Sequence, residues 1–176
     1  MSTARLLAAG ALASVAVTLV TLTITIAATT PATAAAAANG ICESLASRAF
    51  SGVTITSAQT VAAGAFSIPG AARQNPAFKQ LPEFCRVVAT LAPSSDSHIE
   101  MELWLPAQNW NGKFLAVGNG GWAGNIVTDA IATGLSRGYA AASNDTGHQD
   151  AGAAFATRPE KVIDFGYRAM HEMTVR

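Results

Sequence analysis

The sequence has 176 residues, of which 50% are hydrophobic and 12% are charged, with 11 basic and 11 acidic side chains. This balance argues against nucleic acid as a partner, because binding to phosphates needs a clustered excess of Lys and Arg. The length is enough for one hydrophobic core behind a targeting segment.

Residues 1–38 have the composition of a signal peptide. Arg5 is their only charged residue, residues 6–28 are apolar, Gly, Ser or Thr, and small residues fill most of 31–38. The apolar run exceeds the roughly 7–15 residues of a typical signal-peptide core, so an uncleaved membrane anchor is the alternative. Because A-x-A sites follow the run directly, we expect cleavage. The mature chain, residues 39–176, would then be secreted without stable membrane association.

The mature chain contains two cysteines, Cys42 and Cys85. An even pair in an exported protein predicts a disulfide. A nucleophilic or metal-binding cysteine is the alternative, although neither residue has a Cys or His neighbour at ligand spacing.

Hydrophobic periodicity predicts strands first and helices later. Residues 99–105 alternate apolar residues with His98, Glu100, Glu102 and Trp104, which is typical of a half-buried antiparallel strand. The predicted elements, in chain order, are a short helix at 42–50, a strand at 53–58, a loop at 69–82, strands at 85–91, 99–105 and 113–117, a helix at 126–135, a strand at 139–143, a loop at 144–159 and a helix at 160–176.

This order predicts an α/β domain in which an antiparallel hairpin is followed by parallel strands with flanking helices. Parallel strands need a crossover connection, and the helix at 126–135 supplies one between the strands at 113–117 and 139–143. We expect the strand at 139–143 to form an open edge of the sheet.

A glycine cluster follows the strand at 113–117. In open α/β sheets, ligands gather beyond the carboxyl ends of the strands, and residues 118–121 form such an end. Glycines allow backbone N–H groups to approach a ligand closely, and the following helix N-terminus adds partial positive charge. The pattern predicts an oxyanion site with Gly120 and Gly121 as donors and Trp122 as a pocket wall.

Two motifs suggest other sites. Residues 118–123 match G-x-G-x-x-A, and Asp145 ends a strand further on, so a dinucleotide site is an alternative. The preceding hairpin and the bulky Trp122 argue against that alternative. Residues 134–138 match G-x-S-x-G, but a helix enters this motif and a strand leaves it, the reverse of a nucleophile elbow. We therefore interpret Ser136 as part of a helix C-terminus.

The segment SNDTGHQD, residues 143–150, combines Ser, Asp and His. A catalytic triad is assembled from separate loops, so one strand end is a poor source for all three side chains. We predict that Asp145 and His148 support the neighbouring glycine loop. Asp145, His148 and Asp150 as metal ligands are a weaker hypothesis, and we expect no metal site.

GNGGWAG, NDTGH and FGYRAMHEMT, at residues 118–124, 144–148 and 165–174, together resemble the tannase and feruloyl esterase family of secreted serine esterases. The resemblance runs from Cys42 to Arg176 and covers the N-terminal part of such enzymes. It implies an α/β-hydrolase fold that cleaves esters of phenolic acids, such as ferulate or gallate, through an acyl-enzyme. In that fold the loop after the third strand supplies an oxyanion N–H. The two cysteines match the family's N-terminal disulfide.

The resemblance also implies a truncation before the nucleophile elbow. The serine, the acid and the histidine, and a lid domain that holds calcium in some relatives, would all follow residue 176. We therefore expect no catalytic triad residue and no cofactor within 39–176, and no activity from this chain alone. The alternative function is a secreted, non-catalytic module that binds aromatic or carbohydrate ligands through Trp104, Trp110 and Trp122.

Overall fold

A computed structural model describes residues 40–149 and 152–176. The predicted signal peptide, residues 1–38, lies outside these ranges and stays a prediction. Within them, no helix combines the length and the apolar character that crossing a membrane requires.

In the described part of the chain, five strands form one mixed sheet, and α-helices follow or flank it. The strands are β1 (Val53–Val61), β2 (Phe84–Leu91), β3 (Ile99–Pro106), β4 (Phe114–Val117) and β5 (Ala140–Asn144). The helices are α1 (Thr128–Ser136), α2 (Pro159–Ile163) and α3 (Ala169–Val175), with one π-helical turn, Asp164–Arg168, between the last two. Short 3-10 turns occur at Leu45–Ser47, Pro76–Gln80 and Ala154–Thr157.

The spatial order of the strands is β1-β2-β3-β5-β4. Strands β1, β2, β3 and β5 pair antiparallel in turn, whereas β4 and β5 pair in parallel through the α1 crossover. The predicted α/β class, with an antiparallel start and a parallel continuation, is confirmed. The predicted edge is wrong, because β5 lies between β3 and β4, and β4 is the edge strand. A helical crossover can return the chain to either side of a strand, so chain order alone does not fix this position.

Both faces of the sheet are covered, which corrects the prediction of a half-buried β3. On one face Trp104 is fully buried, with its ring 4.5 Å from each of the rings of Phe66 and Phe84. Beside it, Glu102 accepts hydrogen bonds from Trp104 Nε1 and from Arg86 Nε, both at 2.9 Å. A glutamate tolerates this burial because its carboxylate is paired with a cation and hydrogen-bonded.

The opposite face of the sheet packs against α3. The buried hydrophobic residues of this face are Ala89, Leu91, Ile99, Met101, Ala142, Ala169 and Met173. The predicted helix at 160–176 is present as α2, the π-helical turn and α3, which follow one another without a break, and the π-helical turn shifts the register between α2 and α3. One consequence is that Asp164 points inward and is fully buried.

Asp164 fastens the C-terminal helices to the rest of the fold. Its Oδ1 accepts hydrogen bonds from Ser97 Oγ and from Arg168 Nε, both at 2.6 Å. Gly147, at φ 83°, packs on the same carboxyl group, and a Cβ there would lie 2.8 Å from Asp164 Cβ. The turn after β5 is therefore placed by contact with a buried ion pair.

A disulfide joins Cys42 to Cys85, across a sequence separation of 43 residues. It links the helical turn at residues 40–44 to the second strand.

Candidate functional site

Two loops meet at the carboxyl end of the parallel strand pair. One is the loop at 118–127 between β4 and α1, and the other is the turn at 145–149 that follows β5. Parallel strands end at the same edge of a sheet, which brings both loops together at the place where α/β folds bind ligands.

The glycine loop presents free backbone donors. A hydrogen bond of 3.2 Å from Ala123 N to Gly120 O closes a tight turn, and Gly121 adopts a φ of 60° within it. Among the residues that the structure describes, the N–H groups of Gly120, Gly121 and Trp122 make no hydrogen bond, and all three residues are exposed. Because backbone N–H groups in folded proteins are normally paired, three free donors in a row are available to an external acceptor.

His148 holds the far side of this turn. Its Nε2 lies 3.0 Å from the carbonyl oxygen of Trp122, so Nε2 carries the proton and donates it. Its Nδ1 lies 3.2 Å from Thr146 Oγ1. Gly124 packs directly on the backbone of His148, where a Cβ would lie 2.1 Å from the carbonyl oxygen. His148 therefore contacts the glycine loop, through both its ring and its backbone.

Asp145 lies directly after the carboxyl end of β5, as the sequence suggested, but it is hydrogen-bonded to β3 and to its own turn. Its Oδ1 accepts hydrogen bonds from Glu100 N at 3.0 Å and from Gly147 N at 2.8 Å, so it ties the turn after β5 to β3. Among the described residues, no hydrogen bond joins its carboxylate to the glycine loop, and its Oδ2 is buried without a partner. Burial raises the pKa of this carboxyl group, and the hydrogen bonds from Gly147 and Glu100 oppose the rise.

The variant Asp145→Asn tests whether burial of the ionised carboxylate destabilises the fold. Because folding raises the pKa of this carboxyl group, its protonated form stabilises the fold at a pH below the unfolded-state pKa of about 3.8. This stabilisation is lost as the pH rises through the folded-state pKa. Asparagine keeps an acceptor for both backbone donors and cannot ionise, so the variant gains stability relative to the wild type between pH 3.5 and pH 7. Urea unfolding of both proteins across this range measures the difference. A difference that does not change with pH would contradict the assignment.

Aromatic rings surround the loop and define an aromatic cluster of Trp122, His148, Phe155 and Phe165. Trp122 is 54% exposed, and its ring stacks on that of Phe165 at 5.5 Å. Phe155 stacks on the ring of His148 at 4.2 Å. One side of the free donors is therefore bordered by a partly exposed, flat apolar surface.

Sequence reasoning did not identify Phe155 and Phe165. Phe155 lies in the segment at 144–159 that was predicted to be a loop, and Phe165 lies in the predicted helix at 160–176, where no role was assigned to it. The π-helical turn accommodates Phe165 because it adds a residue to one turn of the helix. The motif FGYRA contains Phe165 and was the available signal.

The other candidate motifs have ordinary structural roles. Ser136 ends α1 and donates a hydrogen bond of 2.9 Å to Thr133 O, while Gly138, at φ 79°, stops the helix. Asp150 lies outside the described residues. Within the described residues, no three His, Cys, Asp or Glu side chains are grouped as a metal site would require.

Comparisons with known proteins find esterases that are similar to this chain. Residues 85–176 match the family model described as tannase and feruloyl esterase. An uncharacterized esterase of Xanthomonas campestris pv. campestris is 41% identical over 138 residues, which are 77% of this chain and 23% of that protein. A probable feruloyl esterase B-1 of Aspergillus oryzae is 42% identical over 89 residues, which are 50% of this chain and 16% of that protein.

A solved structure shows the same fold. The crystal structure of feruloyl esterase B from Aspergillus oryzae superposes with a TM-score of 0.68 and 33% identity, over 77% of this chain and 27% of that one. The chain thus spans about a quarter or less of the length of these relatives.

Proposed function

The chain belongs to the tannase and feruloyl esterase family, and on that premise we propose that residues 39–176 form the oxyanion-binding part of a carboxylic ester hydrolase. The observation that carries this proposal is the row of unpaired N–H groups at Gly120, Gly121 and Trp122. Attack on an ester converts its carbonyl oxygen into an oxyanion, and preorganised backbone donors stabilise that charge without reorganisation. We assign Gly120 and Gly121 as the donors.

His148 is a positioning residue in this proposal. By donating to Trp122 O it fixes the peptide planes of the turn, and so the direction of the neighbouring N–H groups. Helix α1 begins at Thr128, and the partial positive charge of its N-terminus also favours an anion at this edge of the sheet.

The acyl-serine step needs groups that the described residues do not bring together. Ser136 is hydrogen-bonded within its own helix, at the opposite end of the sheet from the glycine loop, and His148 is bonded to the loop and to Thr146. We therefore propose that the nucleophilic serine, its histidine base and the acid come from polypeptide outside residues 1–176. On this proposal the chain alone is inactive.

The substrate class follows from the aromatic cluster. An exposed Trp122 ring beside the oxyanion donors offers stacking to an aromatic acyl group. Gallate esters carry an aromatic ring directly on the reacting carbonyl, and ferulate esters carry it one vinyl group away. We propose that this stretch acts without a cofactor on a small-molecule ester, and that the protein is exported, as its apolar N-terminus and its disulfide suggest.

A chimera tests the proposal. Residues 85–176 replace the equivalent stretch of feruloyl esterase B from Aspergillus oryzae, and hydrolysis of methyl ferulate is measured. We expect the chimera to be active. Gly120→Pro, which removes one donor, should lower kcat by about 10²–10³-fold. Gly120→Ala, which keeps the N–H and meets no atom within 4 Å, should retain kcat.

Residues 1–176 alone form the negative arm, with no turnover of methyl ferulate or methyl gallate. Circular dichroism establishes that each chimera is folded. A folded Gly120→Pro chimera with unchanged kcat would show that Gly120 is not a donor of the site. Serine-dependent turnover by the chain alone would show that the chain does not depend on other polypeptide.

The exposed Trp110 and Trp122 favour the alternative of a ligand-binding module. A folded chimera that binds methyl ferulate without hydrolysing it would support that alternative.

A further inference from the structure

A cavity lies beside the turn that carries His148. Its volume is about 350 Å³, and it is lined by Gly147, His148, Ala154, Phe155, Arg158 and Lys161. The rings of His148 and Phe155 stack on each other, with their centroids 4.2 Å apart, and this aromatic pair lines one side, called here the aromatic wall. The volume falls at the lower end of the range of small-molecule sites, about 300–1,000 Å³.

Lys161 has no anionic partner in the described part of the chain. The residue is only 9% exposed, and the one hydrogen bond of its Nζ goes to the carbonyl oxygen of His98, at a long 3.4 Å. A lysine ammonium has three N–H donors, and a buried charge without a counter-ion is unfavourable. Within the described residues, the side chain therefore has both unused donors and an unneutralised charge.

Nearby carboxylates are engaged elsewhere. Glu160, the neighbour of Lys161 in α2, binds Arg168 Nη1 at 2.8 Å and Ser94 Oγ at 2.8 Å. Asp96 binds Arg158, whose side chain is more than half exposed at the mouth of the same cavity. Among the described residues, the cavity thus keeps one surplus positive charge, at Lys161.

We propose that this cavity binds a small aromatic carboxylate, with the carboxylate paired to Lys161 and the ring against Phe155. A carboxylate supplies the missing counter-ion, and the aromatic wall accounts for an aromatic rather than an aliphatic acid. The choice of acid rests on the proposed function, since hydrolysis of a phenolic ester releases such an acid. Because His148 lines the cavity and also binds Trp122 O, the occupied cavity and the oxyanion loop share one side chain.

Isothermal titration calorimetry of the 176-residue chain with sodium benzoate tests the proposal. Benzoate should bind, whereas methyl benzoate, which has the same ring without the charge, and inorganic phosphate should not. Lys161→Met should weaken benzoate binding at least tenfold, and Lys161→Arg should restore it. Lys79→Met is the matched control, because Lys79 also donates to a carbonyl at 3.4 Å but is exposed, and it should leave binding unchanged.

A monomethyl ester of a benzenedicarboxylic acid distinguishes two sources of the carboxylate. Tighter binding of benzoate assigns the site to the free acid product, and tighter binding of the monoester assigns it to a carboxylate substituent of an ester. Neither result depends on turnover, so a failure here is separate from a failure of the chimera.

Thermal unfolding gives a second readout. Without ligand, Lys161→Met should raise Tm by roughly 2–4 °C, because it removes a buried charge that lacks a partner. Excess benzoate should raise the Tm of the wild type but not that of the variant. Equal benzoate binding by the wild type and Lys161→Met would overturn the proposal. Benzoate binding that appears only after Asp150→Asn would also overturn it, since a carboxylate of the chain itself would then be the partner of Lys161.

Discussion

Gly124→Ala is expected to lower the free energy of unfolding by at least about 4 kcal/mol, a size that marks a specific steric or packing failure. A Cβ at this position would lie 2.1 Å from the carbonyl oxygen and 2.6 Å from the carbonyl carbon of His148. These are backbone atoms, which cannot rotate away as the end of a flexible side chain can. The glycine loop and the turn after β5 would have to separate, breaking the hydrogen bond from His148 to Trp122. Urea unfolding followed by circular dichroism measures the loss.

Gly120→Ala is the matched control for this prediction. It lies four residues earlier in the same loop, has no positive φ, and a Cβ there meets no atom within 4 Å. Its stability should stay within about 0.5 kcal/mol of the wild type, as is usual at exposed sites. If the two variants were equally stable, the close approach of Gly124 to His148 would not exist in solution.

Loss of the disulfide is expected to cost about 4 kcal/mol in the chain-entropy model. The bond between Cys42 and Cys85 closes a loop with a sequence separation of 43 residues, and so restricts the unfolded chain strongly. The apolar contacts of the segment at 40–47 are few, since most of its residues are exposed, and the covalent bond is its main attachment to β2. The measurement is the urea midpoint of the oxidised protein with and without dithiothreitol.

The double variant Cys42→Ser, Cys85→Ser separates the bond from other effects of the reductant. Its midpoint should equal that of the reduced wild type and should not respond to dithiothreitol. A wild-type midpoint that reduction leaves unchanged would show that the bond does not form in solution.

The sequence predicted the hairpin, the parallel crossover and the glycine loop at a strand end, because each depends on local periodicity and turn chemistry. It did not predict the position of β5 between β3 and β4, which depends on where a crossover lands. Trp104 was placed on an outward face, since alternation alone does not show that a second layer of side chains covers that face. The polar role of Glu102 beneath it depends on Arg86, a partner on another strand.

The candidate site was also predicted only in part. The glycines and the neighbourhood of His148 follow from the rule for strand ends. The contacts of Asp145 with Glu100, and the stacking of Phe165 on Trp122, depend on the antiparallel pairing of β3 with β5 and on a π-helical turn. Neither feature leaves a periodic signal in the chain.

The interior position of β5 also sets an order of folding. Strands β1, β2 and β3 pair with sequence neighbours, and can form a meander as soon as β3 is available. Among the described residues, β4 pairs only with β5, so β4 can join the sheet only together with β5 or after it. We therefore expect β4 to acquire protection from hydrogen exchange no earlier than β5. The glycine loop that follows β4 and the turn that follows β5 would become ordered in that same late step.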